Sequence, residues 1–321
     1  MKKSKKVIFI ISIEQLKQAN QDFQHQLRLV NAYGTYPPSY EEFFVGEYEN
    51  YDYPPLLEDV LDKNYLSAYE KIMLSTKTAA LMLGNRNLRY IPPELGLLTT
   101  LTKLFLNNNA LKSLPKSIGY LNNLTHLALN NNRFVELPNT IQELEKLQEL
   151  NLANNNLESI PFWVERLLNL KKLDVMNLLL EHVPTWIGNL WNLEELYLNG
   201  NKLSTLPDSL SDLQDLWLLI LDDNQLTVIP DWVDSLSQLY RLTLSNNNLR
   251  SISNSIGELK NLNTLNLNNN QLEELPIAIG ALKNLEHFYV VDGNPLTKIP
   301  NHVKRTNMAI LAWLQSEAES S

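Results

Sequence analysis

The sequence predicts an α/β solenoid of about ten coils, with one parallel sheet on its concave side and a helical cap at each end. Three observations carry this. Leucine recurs at 101, 124, 147, 170, 193, 216, 239, 262 and 285, a constant step of 23 residues. Each step repeats one phrase, written most cleanly as LTKLFLNNNALKSLPKSIGYLNN from Leu101 to Asn123. Asparagine (Asn109, Asn132, Asn155, Asn201, Asn224, Asn247, Asn270) and proline (92, 115, 138, 161, 184, 207, 230, 276, 300) keep the same register. A fixed period of this length marks stacked units that bury their apolar faces against one another.

Residues 1–77 precede the repeats and read as an N-terminal capping region. The opening MKKSKKVIFIISIEQLKQ sets four lysines before the apolar run Val7 to Ile13. That arrangement resembles a secretory signal superficially, yet the run stops at Glu14 without a small-residue cleavage site, and a membrane span needs about 20 apolar residues. The alternative is a short strand or helix start packed on the next element. A helix is expected over Ile13 to Ala32 and a second helical segment over Leu56 to Leu74, the latter lidding the first coil. Between them, residues 33–62 hold six tyrosines and eight acidic residues without a Lys or Arg. This stretch is either an irregular loop wrapped on the first coil or a docking segment.

The repeats occupy residues 78–300. Their LxL portion alternates as a short strand does, so the leucines enter the core and the intervening side chains face outward. The asparagine falls where the chain turns, and its amide there satisfies buried backbone groups of its own and the adjacent coil. The proline fixes φ and begins the outer segment, and Ser253 breaks that series. Residues 301–321 form a C-terminal cap: Met308, Ile310, Leu311 and Leu314 fall on one side of a helix over Arg305 to Gln315, with Trp313 adding bulk.

These units match LxxLxLxxNxL with an LPxxIGxL tail, and over residues 78 to 300 the chain resembles leucine-rich repeat proteins of the 23-residue class, as in Ras-group, plant intracellular and bacterial members. The resemblance implies a right-handed horseshoe and a binding module, usually for another protein, on the concave sheet. The tail NHVKRTNMAILAWLQ further resembles the segment closing the repeats of Roco-type proteins, although no GTPase domain accompanies it.

Composition excludes several function classes. The absence of cysteine rules out disulfides and thiolate metal sites and fits a reducing compartment. A net charge of -9 argues against nucleic acid or an anionic membrane as the main partner. No phosphate loop, HExxH, GxSxG or dinucleotide motif occurs, and no His cluster has metal-ligand spacing. The expectation is therefore a monomer with no catalytic residue, cofactor, metal or membrane span.

The register assigns the exposed face of the sheet. One outward column reads Ala80, Lys103, His126, Glu149, Lys172, Glu195, Leu218, Arg241, Thr264, His287. The next reads Met82, Phe105, Ala128, Asn151, Asp174, Tyr197, Ile220, Thr243, Asn266, Tyr289. Most positions are polar, but Met176, Leu179, Tyr197, Leu218 and Ile220 are expected to emerge together, rimmed by Lys172, Asp174, Glu195 and Arg241. An apolar centre with a charged rim is the anatomy of a protein interface.

In LKKLDVMNLLLEHVP, Leu170 to Pro184, Leu178 replaces the ladder asparagine. Two explanations stand: drift in a tolerant array, with Asn177 shifting to help, or a bulged MNLLL turn that joins an apolar docking site. Trp163, Trp186 and Trp232 share one position after the proline, where they either cover the convex side or form an aromatic stripe for a second partner. The functional expectation is a cytoplasmic, non-enzymatic scaffold that binds a protein partner in signalling or regulation. The alternatives are a secreted or cell-surface adhesin-like protein and, from the resemblance alone, a regulator associated with a small GTPase.

Overall fold

The 23-residue register becomes strand pairing directly. In the computed structural model, which describes residues 63–75 and 77–320, ten three-residue strands pair in chain order, all parallel, in one open sheet. They are β1 (Ala80–Met82), β2 (Lys103–Phe105), β3 (His126–Ala128), β4 (Glu149–Asn151), β5 (Lys172–Asp174), β6 (Glu195–Tyr197), β7 (Leu218–Ile220), β8 (Arg241–Thr243), β9 (Thr264–Asn266) and β10 (His287–Tyr289). Every pairing matches residues 23 apart, as in Leu173 with Leu196 and Leu196 with Leu219. The central residue of each strand, leucine in β1 to β9 and Phe288 in β10, is buried, and its neighbours face outward, as the alternation predicts.

Behind the sheet the first nine coils each close through a five-residue 3-10 helix, from Pro93–Leu97 in the first to Ile277–Ala281 in the ninth. The proline column caps these helices, and its carbonyl accepts the first 3-10 hydrogen bond, as from Ile118 N to Pro115 O at 3.0 Å. Ser253 substitutes by chemistry: its hydroxyl accepts from the backbone N of Ser255 at 3.3 Å.

The IG portion of the tail has a packing reason. A Cβ added at Gly119 would lie 2.6 Å from the Thr140 carbonyl oxygen, and one at Gly257 2.7 Å from that of Ala278. Successive outer helices therefore touch closely at Gly96, Gly119, Gly188 and Gly257, each against a small residue of the following coil. Where glycine gives way to Gln142, Glu165 or Ser211, the following coil presents Trp163, Trp186 or Trp232 instead, and these outer helices touch far less. Trp163 is buried, Trp186 and Trp232 pack half-buried on the core, and the exposed ring of Phe162 meets Trp186 edge-on at 6.4 Å. The tryptophans thus act as cover for the convex side.

Both described ends carry a helix. Helix α1 (Lys63–Leu74) sets Ala68 and Ile72 into the core cluster beside the first coil. Arg86, which stands at the ladder position of that coil, reaches back to α1 through Nη1 and the Ser67 hydroxyl at 3.3 Å. The expected helix over Ile13 to Ala32, the Tyr-rich segment 33–62 and the start of the second helical segment lie outside the described residues.

Helix α2 (Asn307–Ser320) buries Ile310, Leu311 and Leu314 on the last coil. Met308 departs from expectation, at 55% exposed. It sits in the first turn of the helix, where Asn307 makes the contact instead. The Asn307 Oδ1 accepts from Val290 N at 2.8 Å and Val291 N at 2.9 Å, standing in for the carbonyl that a following strand would supply. Among the described residues no helix is long and apolar enough to cross a membrane.

Candidate protein-binding face

Two ladders hold the turns that leave the sheet. In the inner one, the Asn132 amide donates to the carbonyls of Leu106 and Leu129 at 3.0 and 2.9 Å, and its Oδ1 accepts from Leu111 N at 3.1 Å. Asn155, Asn201, Asn224, Asn247 and Asn270 repeat this pattern. Asn294 does so across the extra residue of the last coil. The outer ladder uses the preceding residue, held at positive φ, as in Asn131 donating to Asn108 at 2.7 Å and Asn177 to Asn154 at 2.9 Å. Asparagine tolerates that left-handed conformation better than most residues.

Leu178 interrupts only the inner ladder. Its side chain is buried, 2% exposed, so it points into the core rather than onto the concave face. The turn does not bulge: Asn177 keeps φ 51° and its N–H stays on Asn199 O at 2.9 Å. Nor does Asn177 shift to help, since its amide is committed to the outer ladder. The flanking carbonyls keep other ladder donors, Leu152 O from Asn155 and Val175 O from Asn201. What is lost is an acceptor for Leu157 N–H, whose counterparts from Leu88 to Leu272 donate to a ladder oxygen and which meets none among the described residues.

A buried donor without a partner costs about 1–3 kcal/mol. Leu178→Asn is therefore expected to raise stability by about 1 kcal/mol or more and to slow amide exchange at Leu157. Unchanged urea unfolding together with unchanged exchange would show that no bond was restored.

The predicted concave cluster is assembled in part. On β5 and β6 the Lys172 Nζ lies 2.7 Å from Glu195 Oε2 and 4.7 Å from the centre of the Tyr197 ring. The Tyr197 hydroxyl donates to the same carboxylate at 2.8 Å. Burial lowers the Lys172 ammonium pKa, but the hydrogen bonds to Glu195 and Tyr197 outweigh it and leave the pKa raised. The Tyr197 phenol is pushed up by burial and by its bond to Glu195. These three side chains form one ordered frame, with Met176 and Ile220 half-buried beside it.

Other predicted residues are placed differently. Asp174 is buried, 7% exposed, accepting from Asn151 Nδ2 at 2.9 Å and Met176 N at 3.2 Å, and burial raises its pKa. It is a structural carboxylate beneath the frame and not part of a rim. Leu218 is also buried, at 6%. Side chains on a concave sheet converge, so an outward position there is screened by its neighbours one strand spacing, about 4.8 Å, away. Leu179 is exposed but stands one residue past the ladder, in the column of Asn156 and Lys202, on the flank of the solenoid and not on the sheet. Arg241 is exposed on β8 and meets no carboxylate among the described residues.

Four apolar residues escaped the sequence reading because they lie before the LxxLxL frame or at its edge: Leu168, Trp191, Trp217 and Tyr240. The signal that finds them is the same column comparison, applied to the turns that feed the strands.

Comparison with known proteins bears on this architecture. A family model described as "Leucine-rich repeat region" matches residues 79–185, and one described as "Leucine rich repeat" matches 168–226 and 237–296. No curated protein matches the chain. Among solved structures, the plant peptide hormone receptor RGFR1 in complex with RGF2 is similar at 29% identity over 64% of this chain and 38% of its own, TM-score 0.53. A TDR receptor is similar at 26% identity over 71% of this chain and 49% of its own, TM-score 0.50. A repeat protein of Leptospira interrogans aligns at 28% identity over 78% of this chain and 85% of its own, TM-score 0.43. The chain spans less than half the length of either receptor.

Proposed function

Because the chain belongs to the leucine-rich repeat proteins, a fold whose repeats serve as protein-interaction scaffolds, we propose that it recognises a protein partner on the concave face between β5 and β8. The observation that supports this most directly is the Lys172–Glu195–Tyr197 frame. An aromatic ring held by two polar partners has already lost much of its conformational freedom before binding, and such rings make good anchors. Met176 and Ile220 extend the apolar contact, and Arg241 adds a cation with no carboxylate beside it among the described residues. The proposed setting is intracellular signalling or regulation by a monomer, which agrees with a chain that has no cysteine.

The test compares the wild-type chain with Tyr197→Glu plus Ile220→Glu, both confirmed as folded by circular dichroism, in pull-downs from native host lysate. A protein retained by the wild type alone, and binding the double variant at least about tenfold more weakly once purified, is the expected result. Equal retention by both chains would remove the concave site.

A further inference from the structure

The turns that feed β5 to β8 carry a surface separate from the concave frame. At the position two residues before the repeat's first leucine, other coils place polar residues: Thr99, Asn122 and Glu145 before, Gln214, Ser237 and Lys260 after. The turns before β5 and β6 instead place Leu168, 45% exposed, and Trp191, 61% exposed. These turns are in direct contact, since Asn192 Nδ2 donates to Leu168 O at 2.8 Å. At the strand-entry position of the next two coils stand Trp217, half-buried, and Tyr240, 48% exposed, joined by Tyr240 N to Trp217 O at 2.9 Å. The four make a stepped stripe over four consecutive coils, one pair in each of two columns. Large aromatic surface left in water at positions that are otherwise polar marks an interaction site.

The surrounding charge says what fits there. Between Lys202 and Arg241 the sequence holds seven aspartates and no Lys, Arg or His. Asp212 and Asp215, both exposed, flank Gln214, which is the register neighbour of Trp191. The side chain of Asp212 lies against Gly188, in the outer helix that leads to Trp191. The nearby cation Lys171 is tied to Glu194 at 2.6 Å and also feels Asp215, so a single cation is shared between carboxylates and the local charge stays negative.

We propose that this stripe docks a cationic segment of a protein partner, with an aromatic or aliphatic side chain seated on Trp191 and Leu168 and flanking Lys or Arg facing Asp212 and Asp215. The stripe does not depend on the concave reading and stands or falls separately from it.

The test selects a random-peptide phage library on the full chain and measures an enriched synthetic peptide by fluorescence anisotropy. The expected consensus pairs an aromatic or aliphatic residue with at least two Lys or Arg. Its affinity should fall by about tenfold or more in Trp191→Glu, and likewise in Asp212→Lys plus Asp215→Lys. It should also weaken as salt rises and remain unchanged in Tyr197→Glu plus Ile220→Glu. No enrichment, a consensus without cations, or equal binding to Trp191→Glu overturns the proposal. So does sedimentation that shows a dimer abolished by Trp191→Glu, which would give the stripe to a second copy of the chain.

Discussion

Asn224→Leu is expected to lower the stability of the solenoid by about 2–3 kcal/mol, toward the upper end for a buried hydrogen-bonding group removed from its partners. The Asn224 amide donates to Leu198 O, Leu221 O and Asp222 O at 3.0, 3.1 and 3.2 Å, and its Oδ1 accepts from Leu203 N at 3.0 Å. Two of those carbonyls keep a second ladder donor, from Asn201 and Asn247. Leu203 N–H keeps nothing. Leucine at the equivalent position 178 is buried without disturbing the register, so sterics alone do not account for the cost. The checks are the urea-unfolding midpoint by tryptophan fluorescence and amide exchange at Leu203. Unaltered stability would mean that the ladder contributes little beyond packing, and the account given for Leu157 would fall with it.

Gly280→Ala is expected to act as strongly, at the C-terminal end. A Cβ there would fall on the Leu314 carbonyl of α2, a backbone atom, so the helix or the outer turn beneath it must shift. Overpacking against backbone costs about 1–3 kcal/mol, and here the contact displaced is the one that covers the last coil. Partial undocking of α2 would expose Phe288 and Val290, now buried. The predicted signature is faster amide exchange in α2 and β10 with the central strands little changed, since each coil depends chiefly on its neighbours. Uniform loss of protection along the array would contradict that local picture.

How much of this was legible in the sequence varies with the kind of information each part needs. Strand bounds follow residue by residue from the leucine step, because a buried period leaves one register in which every leucine is covered. The ladder and the proline column follow from the same step. The concave site was legible only as columns. That Asp174 and Leu218 are covered depends on how side chains crowd across neighbouring strands, and alternation along one strand does not encode it. The displaced role of Leu179 has a similar origin, since one residue past the ladder the chain has already left the sheet. Trp191 was readable in principle, by asking which apolar residues occupy columns that are otherwise polar.

Hydrogen bonds fix the spacing of the concave side at about 4.8 Å per strand, whereas nothing comparable fixes the outer side. There, glycine against a small residue lets adjacent outer helices close up, and tryptophan spreads them. Bend per coil is thus written as a two-letter alphabet on the back of the molecule. Wedges stand behind β3 to β5 and again behind β6 and β7, so the arc tightens on either side of the Lys172–Tyr197 frame, whose own β5–β6 step is closed by Gly188 against Ser209. A substitution on the convex surface, touching no partner, can then alter the radius of the cradle that a partner has to fit.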